Sequence, residues 1–184
     1  MKKIILASQS PRRKELLALI TEAFDVMPAD IDETVTPGIS PEDYVLRMSQ
    51  QKAAHIFKEY PESLVIGCDT VVVLDGEILG KPVDHQEAKE MLQRYSDRTH
   101  EVLTGLTLLS KDKQITKLAQ ARVTFYPLDE AQIDAYVATN EPMDKAGAYG
   151  IQGGAAVFVK EIIGDYYAIV GFPVGLVNEC LKSF

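Results

Sequence analysis

The 184-residue sequence predicts an α/β fold with a mixed sheet, and three observations carry that expectation. Segments with helical spacing alternate along the chain with short apolar, β-branched segments, as in a layered α/β domain. The most apolar stretch, Leu64 to Leu74, is rich in Val and Ile and runs into Asp75-Gly76, a hairpin signal. Two further extended segments, 100–110 and 114–126, meet at Lys111-Asp112-Lys113, so antiparallel pairs interrupt the alternation and mix the sheet.

Taken in order, residues 3–8 read as a short buried strand that ends in a Ser/Gln/Ser/Pro turn. Ser10-Pro11 supplies an N-cap and a proline at the first helical position, starting a helix to about Ile20 with Leu16, Leu17 and Ile20 on its apolar side. Phe24 to Pro28 is extended and leads into the acidic loop Asp30-Ile31-Asp32-Glu33. Ser40-Pro41 repeats the cap for a long helix to about Glu59. After the strand at 64–74, a short return strand ends at Gly80-Lys81-Pro82, and Asp84 caps a helix over 85–94. Asp129 to Ala138 is helical, with a capping-box-like Asp129/Gln132 pair. A glycine-rich loop from Asn140 to Gly154 precedes a predicted hairpin, 155–163 with 166–170 around Gly164-Asp165, and a C-terminal helix.

Composition narrows the function classes. A chain of this length with 46% hydrophobic and 25% charged residues is expected to fold as one domain spanning 1–184, without a disulfide or metal staple. Cys68 and Cys180 cannot form a framework and suit a reducing compartment; three scattered histidines match no zinc spacing, so any metal should be a hard one held by carboxylates. The net charge of −8 argues against general nucleic-acid binding. The apolar start breaks at Gln9 and Arg12, short of a secretory core, and no run approaches the roughly 20 apolar residues of a membrane span. The expected location is cytoplasmic.

Several residues are poorly placed for stability alone. Arg12 and Arg13 lie in the first turn of a helix, where the macrodipole is already positive; an anion docked there would make sense of them, and pairing with Glu15 or an acidic loop is the alternative. Asp69 interrupts an apolar strand and shares a face with Val65, Gly67, Val71 and Val73. A carboxylate there needs an ion partner, a metal or a ligand-bearing edge, and Gly67 is expected to leave room for a ligand. Lys52 falls on the apolar stripe of its helix with Val45, Met48, Ala53 and Ile56, so it either snorkels or points into a cleft. Lys81 alone says little. The segment from Asp144 to Gly154 has the glycine density of a tight loop near a ligand, but the spacing of neither a P-loop nor a dinucleotide fingerprint. Asp30, Asp32 and Glu33 are a solvated turn or, beside a phosphate site, Mg²⁺ ligands. His55, His85 and His100 read as structural or surface residues.

Leu6-Ala7-Ser8-Gln9-Ser10-Pro11-Arg12-Arg13, Glu33, Gln51-Lys52-Ala53, Asp69-Thr70-Val71-Val72, Gly80-Lys81-Pro82 and Asp144 through Gly153 together resemble the Maf family of nucleotide pyrophosphatases, also called septum-formation proteins. The match spans about residues 4–175; Cys68, where alanine is more usual, is a small departure. The resemblance implies an elongated mixed sheet flanked by helices, with two lobes around a central cleft, as in inosine-triphosphatase-like proteins. It implies hydrolysis of a nucleoside triphosphate between the α and β phosphates, dependent on Mg²⁺ or Mn²⁺. Its functional positions fall on Ser8, Arg12, Arg13, Glu33, Lys52, Asp69, Lys81 and Gln152. Asp69 would be general base or metal ligand, and Glu33 either as well. Within the family, Arg12, Thr70 and Gln152 resemble the pyrimidine-specific branch, which implies dTTP and UTP as substrates. Roles in nucleotide-pool sanitation and cell-division arrest, and a homodimer, are further implications. Two classes compete: a regulator of cell division that binds nucleotide without turnover, and an anion- or nucleic-acid-binding module, against which the net acidity counts.

Overall fold

The computed structural model describes residues 2–184. The first strand, β1 (Ile4–Leu6), pairs in parallel with β2 (Phe24–Val26) and β3 (Leu64–Leu74). Antiparallel pairing then adds β5 (Thr99–Leu109), β6 (Gln114–Phe125) and the edge strand β7 (Val159–Gly164), while β4 (Glu77–Leu79) returns along β3. Among the described residues these form one seven-stranded mixed sheet, ordered β2-β1-β3-β5-β6-β7. The α/β expectation and most element boundaries agree with it.

The first four helices start where short polar side chains accept from free N–H groups. Ser10 caps α1 (Pro11–Ala18), Ser40 caps α2 (Pro41–Glu59) and Asp84 caps α3 (His85–Tyr95). Asp129 forms a full capping box with Gln132 on α4 (Glu130–Val137).

The expected hairpin at 155–170 is a correction. Residues 154–158 form a 3₁₀ turn, and β7 pairs with β6 instead. Tyr166–Val170 is a short helix, α5, because Asp165 accepts from Tyr167 N at its start and Gly171, at φ +105°, lets the chain leave at its end. The apolar pattern of 166–170 fits either conformation; the terminal residues decide it. The chain closes with α6 (Val174–Leu181).

Side-chain alternation along β3 separates two faces. Leu64, Ile66, Cys68, Val72 and Leu74 join the large core with Leu16 and Leu17 of α1, Leu92 and Tyr95 of α3, Val137 of α4 and Val177 of α6. Val65, Val71 and Val73 face the other way, against Tyr44, Val45, Met48, Ala53 and Ile56 of α2. Gly67 belongs to this second face, and its role differs from the expected one. A Cβ there would sit 2.3 Å from Ser49 O and 2.8 Å from Ala53 N; at Gly105 on β5 it would sit 2.2 Å from Val45 O. The two glycines let the backbone of α2 lie directly on the sheet, so the space is filled by helix rather than ligand. Asp69, directly opposite Gly105 in the register, is thereby brought under α2.

Candidate functional site

A cleft of about 820 Å³ is lined by segments from both ends of the chain, and the nine positions marked by the family resemblance (Ser8, Arg12, Arg13, Glu33, Lys52, Asp69, Thr70, Lys81 and Gln152) line it, whereas Asp30 and Asp32 do not. Five cationic side chains (Arg12, Arg13, Lys52, Lys81, Lys145) and four carboxylates (Glu33, Asp69, Glu141, Asp144) surround it, on a molecule whose net charge is −8. The lining therefore carries a slight excess of positive charge on an otherwise acidic chain, which favours entry of an anion.

At its floor, Lys52 Nζ lies 2.7 Å from Asp69 Oδ1 and 2.7 Å from Glu33 Oε1. Close packing of α2 puts Lys52 there instead of letting it snorkel out. Burial raises the Asp69 carboxyl above the ordinary carboxylate range, while the Lys52 ammonium and then Arg13 pull it back down. Asp69 Oδ2 takes no hydrogen bond from any described residue. Glu33 is half-exposed, and its loop is pinned by Tyr44 OH donating to Glu33 O at 2.7 Å. Burial, with Asp69 and Glu33 nearby, pushes the Tyr44 hydroxyl up to about 12, so it remains a donor. Asp32 is tied to Thr34 and does not join the pair.

The two arginines divide. Arg13 Nε donates to Gly171 O at 2.8 Å, Nη1 to Cys68 O at 2.9 Å and to Ser8 Oγ at 3.4 Å, and Nη2 to Thr70 Oγ1 at 3.2 Å. It braces α1, β3 and the turn after α5, which leaves little of its donor capacity for a ligand. Arg12, half-buried one position earlier, makes no hydrogen bond or ion pair with a described residue. Ser8 is buried and accepts from Ser10 N at 3.1 Å, turning the chain into the helix. Thr70 lies 2.7 Å from Thr104 Oγ1, and Thr104 donates to Ala168 O at 2.8 Å. With that hydroxyl hydrogen committed, Thr70 must donate to Thr104 and accept from Arg13.

Lys81 is exposed, without an ion partner among the described residues, and sits against the glycine-rich loop because Gly147 N donates to Gly80 O at 2.9 Å. Gly147 is required there: φ is +71° and a Cβ would lie 2.5 Å from Val72 Cγ2. Gln152, at the far side of the loop, is exposed with no hydrogen-bond partner among the described residues.

Sequence reasoning passed over Glu141, Tyr136 and Tyr149. Tyr149 shares a 2.7 Å hydrogen bond with His100, whose ring packs on Tyr95, Phe125 and Tyr149. Burial alone pushes His100 down to about 3, so it is a neutral core imidazole. Glu141 directly precedes Pro142 and the loop, and no periodicity or charge cluster marked it out.

Hard oxygen donors on Glu33 and Asp69 reach a common point, now held by the Lys52 ammonium, and so suit a divalent cation. Among the described residues no three His, Cys, Asp or Glu side chains converge, so the protein alone builds no complete cage. No described helix is long and apolar enough to cross a membrane.

A solved structure described as the Staphylococcus aureus Ham1 protein has the same fold, with a TM-score of 0.55 over 99% of both chains at 16% identity. A Bacillus cytotoxicus protein named dTTP/UTP pyrophosphatase is 52% identical over all 184 residues and 96% of its own length. A Bacillus cereus protein of the same name is 48% identical over the whole chain and 91% of its own length. The family model described as Maf-like protein matches residues 3–184, and the chain belongs to that family.

Proposed function

We propose that this chain is a nucleoside triphosphate pyrophosphatase acting on dTTP and UTP. The observation that carries the reading is the cleft floor, where a buried carboxylate with raised proton affinity lies beside a buried lysine. The relatives' shared name, dTTP/UTP pyrophosphatase, supports the substrate pair.

The triphosphate lies along Arg12, the start of α1 and Lys81, with Lys52 nearest the reacting phosphate. These groups offset its charge and stabilise what develops in the transition state. Asp69 accepts a proton from the water that attacks the α-phosphorus. The bond from that phosphorus to the α–β bridging oxygen breaks, and nucleoside monophosphate and pyrophosphate leave. Ser8 and Arg13 hold the loop and strand in register. Glu33 and Asp69 would hold a divalent cation, Mg²⁺ or Mn²⁺, together with substrate oxygens. Such a cation supplies Lewis-acid stabilisation of the phosphates. Gln152 meets the base edge: its amide both donates and accepts, as a uracil or thymine imide requires. Arg12 would repel a cationic base such as 7-methylguanine. A part in nucleotide-pool sanitation or division arrest would rest on this turnover.

The test is a panel of nucleoside triphosphates with pyrophosphate detection, in Mg²⁺ and in Mn²⁺, on the wild-type protein and on Asp69→Asn. dTTP and UTP should give the highest kcat/KM, with 7-methyl-GTP at least ~10-fold lower, about 1.4 kcal/mol at the transition state. Asp69→Asn should fold normally and lose at least ~10²-fold in kcat. Nucleotide binding without pyrophosphate release would move the protein into the regulator class.

A further inference from the structure

We infer that Glu141 and Tyr136 form a clamp that presents Gln152 to the base, which makes them specificity-positioning residues; the inference rests on the pyrophosphatase reading above. The two are joined by a hydrogen bond from Tyr136 OH to Glu141 Oε1 at 2.9 Å. Each also holds the backbone of the glycine-rich loop, on opposite sides of Gln152. Gly150 N donates to Tyr136 OH at 3.1 Å, and Gly154 N donates to Glu141 Oε2 at 3.0 Å. The loop is thus fastened two residues before and two residues after Gln152.

Sterics agree with the hydrogen bonds. A Cβ on Gly153 would lie 2.1 Å from Glu141 Oε1, and one on Gly154 would lie 3.2 Å from the Tyr136 ring. Two glycines therefore follow Gln152 because the carboxylate and the ring fill the space where side chains would stand. Tyr136 is buried, with its ring edge-on to Phe158, so the clamp is anchored in the core while Glu141 lines the cleft. Gln152 itself has no partner among the described residues. Its position is set by the backbone that carries it, and that backbone is set by the clamp.

A glutamine that reads a base must hold its amide within a few tenths of an ångström of the donor and acceptor it meets. Base contacts lie away from the phosphorus that reacts. A loosened loop should therefore raise KM and blur base discrimination, while kcat stays near its normal value.

The experiment measures kcat and KM for dTTP, UTP, CTP and GTP with wild type, Glu141→Gln, Tyr136→Phe, Gln152→Ala and the Tyr136→Phe/Gln152→Ala double variant, with Tm for each. Tyr136→Phe removes one oxygen and keeps the ring, so it decides the matter if Glu141→Gln does not fold. Expected are a ~10-fold rise in KM for dTTP and UTP, a smaller change for CTP and GTP, and kcat within ~2-fold of wild type. The double variant should be no worse than Gln152→Ala alone, because the clamp acts through Gln152. Equal losses for all four nucleotides, a fall mainly in kcat, or additive effects in the double variant would overturn the clamp. Absence of pyrophosphate release by the wild-type protein overturns the pyrophosphatase reading itself, a result distinct from any of these.

Discussion

Lys52 Nζ lies 2.7 Å from Asp69 Oδ1, with the two side chains 10% and 9% exposed. One comes from the fourth turn of α2 and the other from the middle of β3. Asp69 would be costly without Lys52, since a buried ion keeps its charge only beside a partner, whereas Lys52 also has Glu33 Oε1 at 2.7 Å.

That dependence separates the two cleft lysines. Lys52→Ala should lower stability by about 3 kcal/mol near pH 8, because it strands a buried carboxylate. Without the ammonium that pulls it down, Asp69 has a folded-state pKa still further above its unfolded value. A carboxyl raised in this way contributes stability at low pH that is lost as pH rises through the folded pKa, so the variant's deficit should shrink from pH 8 towards pH 5. Lys81→Ala, with no partner to strand, should keep the wild-type Tm. Both should lose at least ~10-fold in kcat/KM. Urea melts at several pH values, read beside pyrophosphate release, check the contrast; a pH-independent deficit in Lys52→Ala would contradict it.

Arg12 and Arg13 should respond as differently as their contacts. Arg13→Lys keeps the charge but cannot reach Gly171 O, Cys68 O and Thr70 Oγ1 at once. Leaving carbonyls unpaired costs about 1–3 kcal/mol each, so this variant should melt several degrees lower. Arg12→Ala should leave Tm unchanged and raise KM for dTTP. Thermal melts with steady-state kinetics distinguish them, and a stable Arg13→Lys would mean that Arg13 is not a brace.

Gly67→Ala probes the seating of α2. The new methyl would lie 2.3 Å from Ser49 O, so the helix must lift and carry Lys52 with it. Overpacking of this kind costs about 1–3 kcal/mol, and activity should fall along with stability. Gly175→Ala, in α6 with nothing within 4 Å of its Cβ, is the control and should be neutral or stabilising by up to ~1 kcal/mol. Equal Tm values for the two variants would contradict the close packing.

His100 makes the fold acid-sensitive. Its pKa is about 3 folded against 6.5 unfolded, so the stability it contributes is fully present above pH 6.5 and is lost as pH falls from there towards 3. Over that window the unfolded state binds one more proton, and stability should drop by about 1.4 kcal/mol per pH unit on this account. His100→Gln should fall less steeply between pH 6.5 and pH 4, whatever its stability at pH 8. Parallel stability profiles would show that His100 is not the source of the acid sensitivity.

The chain order already contained the fold class, the two Ser-Pro helix starts, the strand from Leu64 to Leu74 and its hairpin, because caps, turns and periodicity are local. It also contained the oddity of Asp69, Lys52, Arg12 and Arg13, since a charge at a helix start or inside an apolar pattern is visible without coordinates. What each charge does is a matter of partners far away in sequence. Arg13 is a brace because Gly171, 158 residues later, turns its carbonyl towards it. Gly67 is a seat for a helix because α2 crosses β3 there. Residues 166–170 turn helical through Asp165 and Gly171 at their ends, against an apolar pattern that suits either conformation. Glu141 carries no local signal at all, because its carboxylate gains a purpose only where the loop folds back so that Gly154 N and Tyr136 OH reach it. Backbone conformation is written in nearest neighbours, whereas the pairing of buried polar groups depends on which surfaces the core brings together.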